Sequence, residues 1–191
     1  MTAQPAGELE WAPDPIRQRN RAYTIEDVLK MRVGAPRVEL LAGALSVVPT
    51  PSGAHQKISG LLWMWMLRHA PTTFEPLLAV GILVGVRETL EPDVLLLHKP
   101  VDLEHHFFDA DQVSVAVEIV SPSTKRRDRL EKPAQYAKVG VPHYWRIEQD
   151  PVHVYAYDLV GGCYQLAADA EDELVLSAPF EIKLPIRDIT P

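Results

Sequence analysis

Two carboxylates stand where their surroundings do not favour them. Glu118 lies inside "VSVAVEIVS", and Asp93 opens the apolar run of "LEPDVLLL". Read as a strand, the first segment puts Val113, Val115, Val117 and Ile119 on one face. Ser114, Ala116, Glu118 and Val120 share the other, because strand side chains alternate. Glu118 then projects near the C-terminal end of a buried strand, where ligands collect in α/β sheets. Pro92 fixes its own φ and biases Glu91 towards an extended conformation, so the run after Asp93 enters its strand in a defined direction. Two acids at the ends of adjacent buried strands repel each other and lose hydration. A hard cation with oxygen ligands, Mg²⁺ or Mn²⁺, relieves both problems. Each acid also has a plainer explanation, Asp93 as a turn residue and Glu118 as the partner of an arginine. Directly after the strand, residues 121–132 carry five basic residues against two acidic ones. A positive turn therefore borders an acidic strand end.

The elements that must position these groups come from a chain of 191 residues, long enough for one domain with a sizeable core. Its 47% hydrophobic and 24% charged residues are those of a soluble globular protein. A net charge of -7 argues against a general nucleic-acid coat, though not against a local basic lip. The apolar stretches fall well short of the roughly 20 residues of a membrane span. The N-terminus lacks a basic-then-apolar leader, which points to the cytoplasm. The single cysteine, Cys163, excludes an internal disulfide and a cysteine-rich zinc site.

Residues 1–22 read as a loose, Pro-rich arm and residues 23–191 as the folded domain. Thr24 is set to cap a short helix in "TIEDVLKM", and "RVELLAGALSVVP" reads as a hairpin around Gly43. Helical spacing of Ile58, Leu61, Leu62, Trp65 and Met66 marks a core-facing helix. Strands follow at 78–86, 92–98 and 113–120, then a helix ending near Val139. "VPHYWRI", "PVHVYAYDL" and "CYQLA" continue the sheet, with Gly161-Gly162 as a tight turn. "FEIKL" is expected to close it, before a last helical turn at 185–189. His105, His106, His143 and His153 show no metal spacing with acidic partners and read as surface or strand residues. The expectation is an α/β fold with a mixed central sheet flanked by helices.

The segments "PRVELLAG", "GAHQ", "EPDVLLL" and "VEIVSPSTKRRDRLEKPAQYAKVGVPHYW" together resemble the Uma2 (DUF820) family, restriction-endonuclease-like proteins of the PD-(D/E)XK nuclease superfamily. The resemblance covers about residues 23 to 189. It implies a restriction-endonuclease-like fold that binds a divalent metal, with Asp93 as the metal-binding aspartate and Glu118 as the second acid. Glu39 matches an early family glutamate, and His55 in "GAHQ" matches a family motif, as a proton carrier, a substrate contact or a structural residue at the start of a helix. Ala42 and Ala44 stand where the common family version has acids.

The superfamily's E-x-K motif places a lysine two residues after the glutamate, and here that position is Val120. If residues 128–136 are helical, Asp128, Lys132 and Tyr136 fall at four-residue steps on one face, and Lys132 can supply the missing cation beside Glu118. The family resemblance points to the same three residues. Asp128 with Glu131 also fits a capping pair, and Pro133 requires the helix to begin just before it or to kink. Lys125, Arg126, Arg127 and Arg129 are candidate phosphate contacts, or else a solvated turn.

The expected function is a Mg²⁺- or Mn²⁺-dependent endonuclease hydrolysing phosphodiester bonds in DNA. Asp93, Glu118 and Lys132 would carry catalysis, with Glu39, His55, Asp128 and Tyr136 in support. The rival expectation is a catalytically silent binding protein on the same scaffold, favoured by Val120, the acidic balance and the alanines near Glu39. The loose arm and apolar C-terminal strands point to a homodimer.

Overall fold

In the computed structural model the described residues are 21–31, 38–121 and 126–191. Most of the expected arm, together with Lys125, lies outside them, as does the side chain of Asp128. The chain divides into two compact units, one of residues 1–49 with Gly85–Glu88, the other of Thr50–Val84 with Thr89–Pro191.

In the first unit, helix α1 (Ile25–Leu29) begins at Thr24, whose backbone N–H donates to the Asp27 carboxylate at 2.9 Å. Strands β1 (Val38–Leu41) and β2 (Ala44–Val47) form the expected hairpin. Ala42 (φ 49°) and Gly43 (φ 83°) make its two-residue turn, the left-handed geometry such turns require. Arg21, placed in the arm by sequence, instead donates to Asp27 at 3.2 Å.

The second unit is built on a six-stranded sheet. Its members are β3 (Phe74–Leu78), β6 (Val94–His98), β8 (Val113–Ile119), β9 (His143–Gln149), β10 (Val152–Val160) and β11 (Cys163–Ala170). Their order is β11-β10-β9-β8-β6-β3, and only the β8–β9 step is parallel. A parallel step needs a crossover. Among the described residues it contains a π-helical segment, Arg127–Glu131, and helix α3 (Lys132–Lys138). All seven residues of β8 are buried, as expected of a strand covered on both faces.

Helix α2 (Gly53–His69) is capped by the Ser52 side chain, which accepts from the His55 N–H at 3.2 Å. Its buried stripe of His55, Ile58, Leu62, Trp65 and Met66 packs one face of the sheet with Val94, Leu96, Val115, Val117 and Ile119. The opposite face gathers Leu95, Leu97, Ala116 and Tyr144 with Tyr136 of α3. A small sheet, β5 (Glu88–Leu90), β4 (Gly81–Gly85) and β7 (Phe107–Asp109), gives Ile82, Leu90 and Phe108 to that cluster.

Three expectations change. Val113 joins the second cluster, not the face of Val115. The pairing slips between Leu96↔Val115 and Leu97↔Val113, and such a bulge reverses the alternation. The single strand expected at 78–86 is broken at Ala79 (φ 52°), so β3 ends and β4 begins separately. "FEIKL" does not close the sheet: β13 (Ile182–Pro185) pairs with β12 (Glu173–Leu176), and their Leu174, Ile182 and Leu184 cover the α2-side core. As the sequence requires, α3 begins just before Pro133, with the π-helical segment ahead of it. Proline has no N–H and its ring crowds the carbonyl four residues back, so the preceding turn widens and the Lys132 N–H bonds to the Arg127 carbonyl.

Candidate active site

The two acids sit at one edge of the sheet's centre. The ladder between β6 and β8 runs to Val94↔Val117, which leaves Asp93 one step before it and Glu118 one step beyond. The Asp93 backbone is held on both sides, its N–H donating to Val117 at 3.0 Å and its carbonyl accepting from Ala79 at 3.1 Å. Its Oδ2 accepts the Ile119 N–H at 2.8 Å, and its Oδ1 lies 2.9 Å from His55 Nε2. The start of α2 thus reaches Asp93 from one face of the sheet. His55 Nδ1 is buried and has no hydrogen-bond partner among the described residues.

Glu118 is reached from the other face. Lys132 Nζ donates to Oε2 at 2.7 Å, and the Tyr136 hydroxyl donates to Oε1 at 2.5 Å. Four residues apart on α3, these two side chains share one helix face. The carboxylate and ammonium are 3% and 7% exposed, so each compensates a charge that would be costly to bury alone. Tyr136 is fixed further by Tyr144, its ring 5.5 Å away. Gly140 (φ 83°) ends α3, and the Val141 N–H returns to the Tyr136 carbonyl at 3.1 Å. Val120, at the position of the absent lysine, is buried; its N–H donates to Ile147 at 2.8 Å and its carbonyl accepts from the Gln149 side chain at 2.7 Å. Nothing local in the sequence signals that last contact, which spans 29 residues.

Glu39 belongs to the first unit, buried on β1 and paired in register with Ser46. Arg129 is tied to Glu148, with its Nη2 2.8 Å and its Nε 3.0 Å from Oε1. That bond, the largest cause, raises the guanidinium's pKa above its ordinary value. Arg126 is exposed and 3.5 Å from Glu131, and Arg127 is half-buried. His143 and His153 do have acidic partners. Antiparallel pairing brings Asp158 within 2.7 Å of His143, and Asp169 and Glu171 flank the two ring nitrogens of His153. No group of three or more His, Cys, Asp or Glu able to hold a metal occurs among the described residues.

Asp93 and Glu118 nevertheless fit a hard divalent cation of the kind that takes one or two carboxylates and completes its sphere with water and phosphate oxygens. The contacts named above place one donor at each of their four oxygens, and a carboxylate offers about four acceptor positions.

A mixed sheet between helices, with paired acids at the ends of neighbouring central strands and a lysine beside them, defines the restriction-endonuclease-like class. The chain belongs to the Uma2 family, described as "Putative restriction endonuclease", which it matches over residues 25–187. In fold it is similar to a crystal structure described as a putative nuclease belonging to DUF820 from Anabaena variabilis ATCC 29413. The TM-score is 0.66 at 20% identity, covering 87% of this chain and 96% of that one. No curated protein matches the sequence. Among the described residues no helix is long and apolar enough to cross a membrane.

Proposed function

We propose that this protein is a metal-dependent endonuclease that hydrolyses phosphodiester bonds in DNA. The observation that carries the reading is the Lys132 ammonium at 2.7 Å from Glu118, supplied from α3 where the strand itself offers Val120. Asp93 and Glu118 would hold Mg²⁺ or Mn²⁺, which supplies Lewis-acid polarisation of the phosphoryl group. Lys132 orients the attacking water and offsets the negative charge that grows on the phosphoryl oxygens. Tyr136 keeps the Glu118 carboxylate in one orientation, and His55 with the Ile119 N–H does the same for Asp93. The basic turn before α3 supports backbone contacts that position a strand without reading its sequence.

One observation favours the rival reading, a silent binding protein. Both Glu118 oxygens already have partners within the protein, as in a purely structural network. Incubation with single- and double-stranded DNA in Mn²⁺ separates the two. Cleavage that disappears on adding chelator is the expected result; intact DNA under all conditions would remove the nuclease reading.

A further inference from the structure

Arg146 pairs in register with Glu118 across the parallel β8–β9 step. Its neighbours two residues apart on that face include Tyr144, which packs on Tyr136 of α3, so Arg146 and Glu118 share the α3 side of the sheet. The two strands lie about 4.8 Å apart. The Arg146 guanidinium extends across β10, 4.3 Å above the Tyr155 ring and 5.8 Å from that of Tyr157. Tyr155 in turn stacks on His153, centroids 4.4 Å apart. The arginine is thereby held flat and loses little freedom on gaining a ligand.

One of its donors is not used. Nε is buried without a hydrogen-bond partner among the described residues, although the side chain as a whole is 17% exposed. Glu148 Oε1 approaches Nε only to 3.4 Å, outside hydrogen-bonding geometry, and the same oxygen already accepts a hydrogen bond from Arg129 Nε and lies 2.8 Å from its Nη2. A buried donor without an acceptor is a standing cost to the fold that a ligand oxygen would relieve. Along this strip Lys132 lies 2.7 Å from Glu118 and Arg129 2.8 Å from Glu148, whereas Arg146 comes only to 3.4 Å from Glu148, so Arg146 is the cation whose carboxylate partner is least well placed.

We propose that Arg146, pressed on Tyr155, forms a phosphate-binding subsite beside Glu118 that takes a non-scissile phosphate of a nucleic-acid strand. The assignment rests on the function proposed above. A guanidinium fork matches a phosphodiester's two free oxygens, and stacking on a tyrosine occupies the face of the fork rather than its edge. The contact adds affinity and register without sequence preference.

The test is equilibrium binding of fluorescently labelled DNA to the full chain across a salt series, in chelator so that no cleavage intervenes. Arg146→Met should weaken binding about fivefold to tenfold, uniformly across sequences, and reduce the salt slope by about one. Arg146→Lys should keep the slope and recover part of the affinity. Thermal melts check the fold, and Arg146→Gln carries the same test if Met is not tolerated. A purely structural role for Arg146 would leave the salt slope unmoved. Unchanged affinity and slope in Arg146→Met, or no binding by the wild type, overturns the subsite. Hydrolysis in Mn²⁺ is read separately. Cleavage with unaltered binding by Arg146→Met removes the subsite and leaves the nuclease. Arg146-dependent binding without cleavage does the reverse.

Discussion

Asp93 and Glu118 are one residue to either side of the same ladder pair, yet the protein treats them differently. Glu118 is 3% exposed and closed in by an ammonium and a phenol from α3. Asp93 is 16% exposed and held by a backbone N–H and an imidazole from α2. The first carboxylate is tied to a group that carries a full charge, the second to groups that need none. Glu118 is thus bound up with the stability of the crossover, and Asp93 is the acid more open to an incoming ligand.

The strongest test of that contrast removes the buried cation. Lys132→Met leaves Glu118 with Tyr136 among its hydrogen-bond donors but takes away the ammonium, and breaking a buried pair costs about 3–5 kcal/mol. Under the proposed function, hydrolysis should also fall by about a hundredfold or more. Adding Glu118→Gln to Lys132→Met should return much of the stability, measured by urea denaturation, without returning hydrolysis. If Lys132→Met costs neither stability nor activity, the pair is ornamental and the contrast fails.

Asp93→Asn supplies the other half. The amide oxygen can still accept the Ile119 N–H, so the stability loss should be about 1 kcal/mol or less. Mn²⁺ binding by calorimetry should be lost, and with it hydrolysis by about a hundredfold. A variant as unstable as Lys132→Met would show that the two acids are structural equals.

What the sequence made legible follows from periodicity, and what it hid follows from pairing. Strand alternation separates Glu118 from Val117 and Ile119, and four-residue spacing puts Lys132 and Tyr136 together, so half of the site could be assembled from local pattern. The bulge that turns Val113 over could not, because register is set by the partner strand. Pro133 announces a break in the helix, but not that the turn before it widens into a π-helical segment. Arg146 reads as one more alternating residue of "HYWRI". Its place between Glu118 and Tyr155 exists only once β8, β9 and β10 lie side by side.

The smallest effect belongs to the turn, and it extends the contrast from carboxylates to cations. Arg126 is 84% exposed and its approach to Glu131, at 3.5 Å, is a surface ion pair worth little. Arg129 is held by Glu148 through two nitrogens. Arg126→Ala with Arg127→Ala should therefore weaken DNA binding about twofold to fivefold, equally across sequences, and flatten its salt dependence. Arg129→Ala should change the salt slope less, because that charge is already neutralised, while leaving Glu148 short of its main partner. Fluorescence anisotropy over a salt series, with all three arginines compared in one buffer, reads both quantities. If Arg129→Ala flattens the slope as much as the double variant, the Arg129–Glu148 pair opens when DNA binds, and Glu148 then becomes the free counter-charge for Arg146. If neither change alters binding, the turn is a solvated one, and the phosphate contacts must come from the strip beside Glu118.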